Sequence, residues 1–198
     1  VENTHIDYTG NRVLDEEELE SEINTTNTYT NVLPSLTVQY NATKDLILRA
    51  AATTALARPN YYALAPYVNN VASDMEITAG NPDLDATYSY NYDFMAENYF
   101  KSVGLISGGV FYKKLHDFIY NYSDSNYTTE KFAADFPTQD NPIPVGENWT
   151  FVQPKNGDTV DVYGFEVAFQ RQLDFFESKF LKGFGIYLNY TYTKSEAK

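Results

Sequence analysis

Cysteine is absent from this chain of 198 residues, histidine occurs twice and tryptophan once, and 14 basic side chains face 27 acidic ones. Without a thiol there is no disulfide framework, no thiolate zinc or iron–sulfur site and no cysteine nucleophile. A formal net charge of -13 opposes a nucleic-acid partner, because such affinity comes largely from Lys and Arg releasing counterions at phosphates. Long apolar runs are missing as well. The aliphatic stretches, such as Leu46-Ile47-Leu48, fall far short of the roughly 18 residues that a membrane-spanning helix needs. The first residues, Val1-Glu2-Asn3-Thr4, carry none of the basic, apolar and small-residue regions of a targeting signal. None of these absences excludes a membrane β-barrel, whose strands alternate apolar and polar residues and read as only mildly hydrophobic.

What is abundant is aromatic: 18 Tyr and 13 Phe, many at alternate positions. From Thr87 to Phe100, Tyr88, Tyr90, Tyr92, Phe94 and Ala96 fall on one face while Ser89, Asn91, Asp93 and Glu97 fall on the other. That period of two predicts a strand whose faces meet different surroundings. The same alternation runs through Val32–Asn41, with Leu36, Val38 and Tyr40 on one face, and through Leu46–Thr53 after a polar turn at 42–45. It returns in Leu105–Tyr120, in Tyr163–Gln170 and in Phe184–Thr193. With a partial strand at Val1–Tyr8, these predict about seven long strands paired as up-and-down hairpins. Several are longer than the five or six residues usual in globular sheets.

Connections alternate in length: long at 10–31, 57–86 and 121–159, short at 42–45 and 101–104, and moderately short at 174–183. Up-and-down membrane barrels show this asymmetry, with short turns on one side and long loops on the other. The run Asp15-Glu16-Glu17-Glu18 reads as a solvated acidic loop, since like charges in a block repel each other.

Five ordered stretches then carry a family likeness. They are Leu33-Pro34-Ser35-Leu36 with Arg49 and Ala57-Arg58-Pro59-Asn60; Gly80-Asn81-Pro82-Asp83-Leu84; Tyr92-Asp93 with Glu97-Asn98-Tyr99-Phe100; Phe111-Tyr112-Lys113-Lys114 with Asp117-Phe118-Ile119; and Gly164-Phe165-Glu166 with Asn189-Tyr190-Thr191-Tyr192-Thr193. In order and spacing the chain resembles the C-terminal half of a TonB-dependent outer-membrane receptor barrel. The resemblance implies a plugged barrel of about 22 strands, driven from the inner membrane through a TonB-type energy-coupling protein that contacts an N-terminal segment not present in this chain. A plug and a terminal aromatic residue are also missing, the chain ending Ser195-Glu196-Ala197-Lys198. Residues 1–198 are therefore expected to form a partial all-β, antiparallel transmembrane barrel domain, one segment of a bacterial outer-membrane receptor with its long loops outside.

Candidate ligand contacts cluster in two long connections. Arg58 and Pro59 open a loop holding Asn60, Tyr61 and Tyr62, whose rings suit stacking on a sugar or chelate and whose amide suits hydrogen bonding. The alternative role for Pro59 is to shape a packed loop. Tyr127 and Trp149 sit in the second aromatic-rich loop, where stacking on a ligand and local collapse are both open. Gly80-Asn81-Pro82-Asp83 has a structural explanation, with Gly relieving strain and Pro fixing φ. His5 and His116 have no metal-ligand spacing, and no nucleophile, base and orienting group can be recognised; no cofactor, metal or enzymatic activity is expected. The expected partners are outer-membrane lipid and a small-molecule or oligosaccharide ligand, such as a ferric chelate (siderophore) or a glycan. The competing reading is a soluble β-sandwich module for carbohydrate, in which the same aromatics would fill a core or form a platform.

Overall fold

The structure is a computed structural model and describes residues 2–14, 18–101 and 103–198. Asp15, Glu16 and Glu17 of the acidic run lie outside the described residues, as do Val1 and Ser102. Along the chain come β1 (Glu2–Leu14), β2 (Glu18–Asn31), β3 (Ser35–Asn41), β4 (Leu46–Ala57), α1 (Tyr61–Leu64), β5 (Val68–Val71) and β6 (Glu76–Ala79). Then follow β7 (Thr87–Tyr99), β8 (Gly104–His116), β9 (Ile119–Tyr127), α2 (Thr129–Asp135), β10 (Trp149–Asn156), β11 (Thr159–Gln172), α3 (Lys179–Lys182) and β12 (Gly185–Ala197). The expectation of about seven strands is corrected to 12. Two compact units divide them, one made of residues 33–56, 88–116 and 158–198, the other of 1–32, 57–87 and 117–157.

The first unit is a six-stranded sheet in the order β12-β11-β8-β7-β4-β3. Its strands are the long ones that alternation identifies, and they follow one another up and down. The antiparallel registers align whole rows of side chains. Phe94, Val110, Phe165 and Tyr192 form one row, and Ala96, Gly108, Val167 and Tyr190 form the next on the same face. The opposite face carries Met95, Gly109, Glu166 and Thr191, then Glu97, Ser107, Ala168 and Asn189. On that polar face Arg49 Nη1 donates to Gln39 Oε1 at 2.6 Å, and Arg49 Nε donates to Glu97 Oε2 at 3.3 Å. One side chain thereby ties β3, β4 and β7. Phe111 lies across Gly164, where a Cβ would collide with the ring and with the Tyr192 carbonyl. An aromatic covering a cross-strand glycine in this way replaces the packing that the glycine lacks.

No buried hydrophobic residue among those described belongs to this sheet. A sandwich needs a second sheet about 10 Å away to cover the apolar face, and this unit has a single sheet. Tyr92, Phe94, Val110 and Phe165 are all exposed, so the sandwich reading has no core to offer them.

The second unit contains the long connections. Within 10–31, read as loop, residues 10–14 instead complete β1 and 18–31 form β2, paired antiparallel from Glu2–Asn31 to Leu14–Glu18. Residues 57–86 and 121–159, also read as loops, supply a four-stranded sheet in the order β5-β6-β10-β9. β6 and β10 are parallel, with Ile77 opposite Phe151. The strand predicted over Leu105–Tyr120 breaks at Asp117, whose φ of 55° redirects the chain. The Asp117 carbonyl accepts hydrogen bonds there from Thr87 Oγ1 at 3.0 Å and Asn156 Nδ2 at 2.7 Å.

A dry core holds the two loops together. Ile77, Ala79, Tyr127, Phe132, Ile143, Trp149 and Phe151 are buried in one cluster, with Tyr127 stacked on Phe151 at 4.5 Å between ring centroids. Thr128 caps α2 through Lys131 N–H, and Phe132 drops from that helix into the cluster. Asn81 fastens the loops from a second direction: its Nδ2 donates to the Pro154 carbonyl at 3.0 Å and its backbone N–H to the Ala63 carbonyl at 2.7 Å. Gly80 is required beside it, since a Cβ would run into the Ala65 carbonyl. Truncating a buried aromatic of this kind costs about 3–5 kcal/mol. We expect Phe132→Ala to remove amide-exchange protection from β9, β10 and α2 while leaving that of β8 and β11 unchanged. Equal loss in all five elements would show that the loops have no separate core.

Candidate functional site

Asn60 organises the first candidate loop. Its Oδ1 accepts from Ala63 N–H at 2.6 Å, capping α1, and Leu64 is buried at the far end of the helix. The short helix leaves Tyr61 78 % exposed. Beside it lies a cavity of about 550 Å³ lined by Arg58, Pro59, Asn60, Tyr61 and Leu64 from this loop and by Thr4, His5 and Asp7 from β1. Arg58 pairs with Glu2, His5 Nε2 lies 3.2 Å from Asp7 Oδ1, and His5 Nδ1 shares a 2.7 Å hydrogen bond with Thr28 Oγ1. The wall of the cavity thus combines an aromatic face, an amide, a guanidinium already matched to a carboxylate, and an imidazole.

Three of the six residues singled out from sequence meet there: Arg58, Asn60 and Tyr61. Tyr62 is exposed but faces Tyr67, at 4.6 Å between ring centroids. Burial, followed by the hydrogen bond with Tyr62, pushes the Tyr67 hydroxyl up to about 12. Tyr127 and Trp149 are placed elsewhere, only 2 % and 4 % exposed in the loop core. The Tyr127 hydroxyl donates to Asp135 Oδ2 at 2.7 Å, and burial together with that bond moves its ionisation far above the ordinary tyrosine value. Both rings are spent on holding the loops together. His5 and Asp7 are the contributors that sequence reading missed; the signal available was the alternation of β1, which puts positions 5 and 7 on one side of the strand.

Three or more His, Asp or Glu side chains do not converge as a metal site among the described residues. The loop cations are engaged within the protein. Lys131 Nζ donates to Asp124 Oδ2 at 2.7 Å, and Lys155 lies 3.9 Å from the centroid of the Tyr122 ring. In this setting Asn60→Ala should cost about 1 kcal/mol, the usual value of a lost N-cap, read as faster amide exchange at Ala63 and Leu64. An unchanged exchange rate would remove the cap from the account of the cavity wall.

Lys131, then the Asn126 backbone N–H, holds the Asp124 carboxyl below the usual carboxylate range. A carboxyl depressed on folding contributes stability above its ordinary value and loses it as pH falls through the depressed one. Lys131→Met should therefore move the Asp124 titration upward, followed by carboxyl-carbon NMR, and weaken the acid dependence of loop stability. A titration that stays put would assign the depression to the backbone alone.

The model of the family described as TonB dependent receptor-like, beta-barrel, matches residues 2–198. No curated protein matches the chain significantly. Among solved structures, the siderophore receptor PirA from Pseudomonas aeruginosa superposes with a TM-score of 0.57 at 18% identity, covering 87% of this chain and 26% of that one. The hemophore receptor HasR of Serratia marcescens, solved as a double mutant with its hemophore HasA and heme, gives 0.58 at 13% identity, covering 100% and 29%. A mutant of the ferric enterobactin receptor PfeA from Pseudomonas aeruginosa, in complex with enterobactin, gives 0.53 at 20% identity, covering 75% and 20%. The chain therefore spans less than a third of the length of these receptors, and at such identities the likeness is one of fold.

Proposed function

The chain belongs to the TonB-dependent receptor β-barrel family, and from that premise we propose that it forms a wall and loop segment of an outer-membrane receptor that imports a scarce nutrient. The observation that carries this reading is the six-stranded sheet with two unlike faces and no core of its own. The aromatic face would meet lipid and the face of Glu97, Glu166 and Asn189 a watery lumen. From Tyr163 to Arg171 strand β11 rises about 27 Å at roughly 3.4 Å per residue, or about 20 Å along the membrane normal at the usual tilt of about 40°. That approaches the apolar band of about 25 Å found on such barrels. Tyr92, Tyr112 and Tyr163 share one row at its edge, the level at which interfacial aromatics anchor.

On this reading the unit made by the long loops faces outside and the turns at 42–45 and 101–104 face the periplasm. The cavity beside α1 supplies the ligand contacts, with Tyr61 for stacking and Asn60 and Arg58 for hydrogen bonding. The ligand class is a ferric chelate, a heme-type group or a glycan, and import would draw on energy passed through a TonB-type protein. Three of the neighbours are named as siderophore, enterobactin or hemophore receptors, which supports nutrient uptake as the task and receptor rather than enzyme as the class.

Recovery of the isolated chain as a detergent-free monodisperse monomer with a cooperative melt would overturn this function in favour of a soluble module. Within the complete receptor, Val167→Arg near the middle of the aromatic face should cost about 2–4 kcal/mol in membrane stability, whereas Glu166→Arg, one residue along on the other face, should assemble normally. Equal assembly of both variants would mean that the facing is wrong. Tyr61→Ala and Arg58→Ala should each lower uptake by cells without lowering the amount of receptor in the outer membrane, and Lys44→Ala should change neither. Uptake unaffected by the two loop substitutions would take the cavity out of the ligand path.

A further inference from the structure

We propose that the connection between β11 and β12, residues 173–184, is an interfacial anchor that seats in the headgroup layer of an anionic phospholipid leaflet. This rests on the reading that the aromatic face of the sheet meets lipid. At the short-turn end that face closes with a row containing Arg171 and Ile186, reached from Phe169 and Leu188 one row above. The connection carries the apolar surface onward. Phe175, Phe176, Phe180 and Phe184 are all exposed, Phe180 by 74 %, and they pair as rings, Phe175 with Phe176 at 4.4 Å and Phe180 with Phe184 at 5.0 Å. Exposed phenylalanines in a water-facing turn have no partner to justify them, whereas rings set beside basic side chains are the composition of interfacial segments.

The shape of the turn is fixed rather than loose. Leu173 N–H donates to the Phe184 carbonyl at 2.9 Å, and Gln172 Nε2 donates to the Lys182 carbonyl at 2.9 Å. The Arg171 guanidinium is held between two rings, 4.8 Å from the centroid of Phe100 and 4.4 Å from that of Phe175, and its Nε has no hydrogen-bond partner. Lys179 and Lys182 lie on α3 itself and make no ion pair among the described residues.

Charge selects the lipid. In a chain of net charge -13, the short-turn end carries a local basic excess: Lys44, Lys101, Arg171, Lys179 and Lys182 stand there against Asp45, Asp174 and Glu177. Lysines held at the level of inserted rings attract anionic headgroups within a Debye length. The two acids of the connection, Asp174 and Glu177, dilute that attraction without cancelling it.

The test places a nitroxide on a single introduced cysteine; residues 1–198 contain no native one, and any cysteine elsewhere in the receptor is first replaced by serine. Labels at Phe180→Cys, Val167→Cys and Val145→Cys report the anchor, the aromatic face and an exposed loop. The full receptor is inserted into vesicles of phosphatidylcholine alone or mixed with phosphatidylglycerol, and accessibility to oxygen and to a water-soluble nickel chelate gives the depth. We expect positions 180 and 167 to be shielded from nickel and position 145 not. Phosphatidylglycerol should draw position 180 deeper, and the pair Lys179→Gln and Lys182→Gln should abolish that shift while leaving position 167 in place. A water-exposed 180 beside a lipid-exposed 167 overturns the anchor alone. Exposure of both overturns the lipid-facing reading on which it stands. Insertion of 180 to the same depth in both vesicles overturns the selection of anionic lipid.

Discussion

An antiparallel ladder from β3 to β12 pairs the backbone polar groups of the sheet without any dry core beneath it, and the period-two pleat decides what each face can touch. Rows such as Phe94–Val110–Phe165–Tyr192 exist because the registers of four strands agree. A slip of one residue in any of them would send its aromatics to the side of Glu97 and Glu166. The Arg49 contacts to Gln39 and Glu97 and the packing of Phe111 over Gly164 pin the register on the polar side. A soluble sheet would obtain its stability by covering the aromatic face. Here that face stays open, which is the condition under which an apolar solvent takes the part of a core.

The loops solve the opposite problem. They hold their shape by pooling the aromatics of two connections in a buried cluster. Ile77 from one and Phe151 from the other lie opposite each other in the β6–β10 pair, and neither connection could complete the cluster alone. Their shared core explains why so aromatic a loop, residues 121–159, is not a row of free stacking surfaces: Tyr127, Phe132 and Trp149 are interior. An exposed ring beside the cavity, Tyr61, sits on the short helix that Asn60 caps.

The long strands were legible because alternation persists over many residues, and hairpin partners followed from the short turns. The structure finds strands at 35–41, 46–57, 87–99, 104–116, 159–172 and 185–197 close to where alternation puts them. The strands β5, β6, β9 and β10 were not legible. Segments such as Val68–Val71 are too brief to show a period, and a parallel pairing between residues as far apart as Ile77 and Phe151 leaves no local trace. β2 was hidden differently, since Asn24, Thr25, Thr26, Asn27 and Thr28 follow one another with no apolar residue between them. Of the candidate site, the Arg58–Tyr61 element was readable from its Pro and Asn punctuation. Burial of Trp149 was not, because a tryptophan in a polar loop has the same local sequence whether it faces a ligand or a core.

Charge is spread unevenly along the chain. Within residues 57–87 and 117–157 the only basic side chains are Arg58, Lys131 and Lys155. They are taken up by Glu2, Asp124 and the Tyr122 ring respectively. Acidic side chains greatly outnumber them, so the field over these loops repels a polyanion before any contact forms. At the cavity stand the Tyr61 ring, the Asn60 amide, the His5 imidazole beside Asp7, and an Arg58 already matched by a carboxylate. Under the proposed function a ligand there would be held by stacking and hydrogen bonds, and an anionic one would have to displace Glu2 from Arg58.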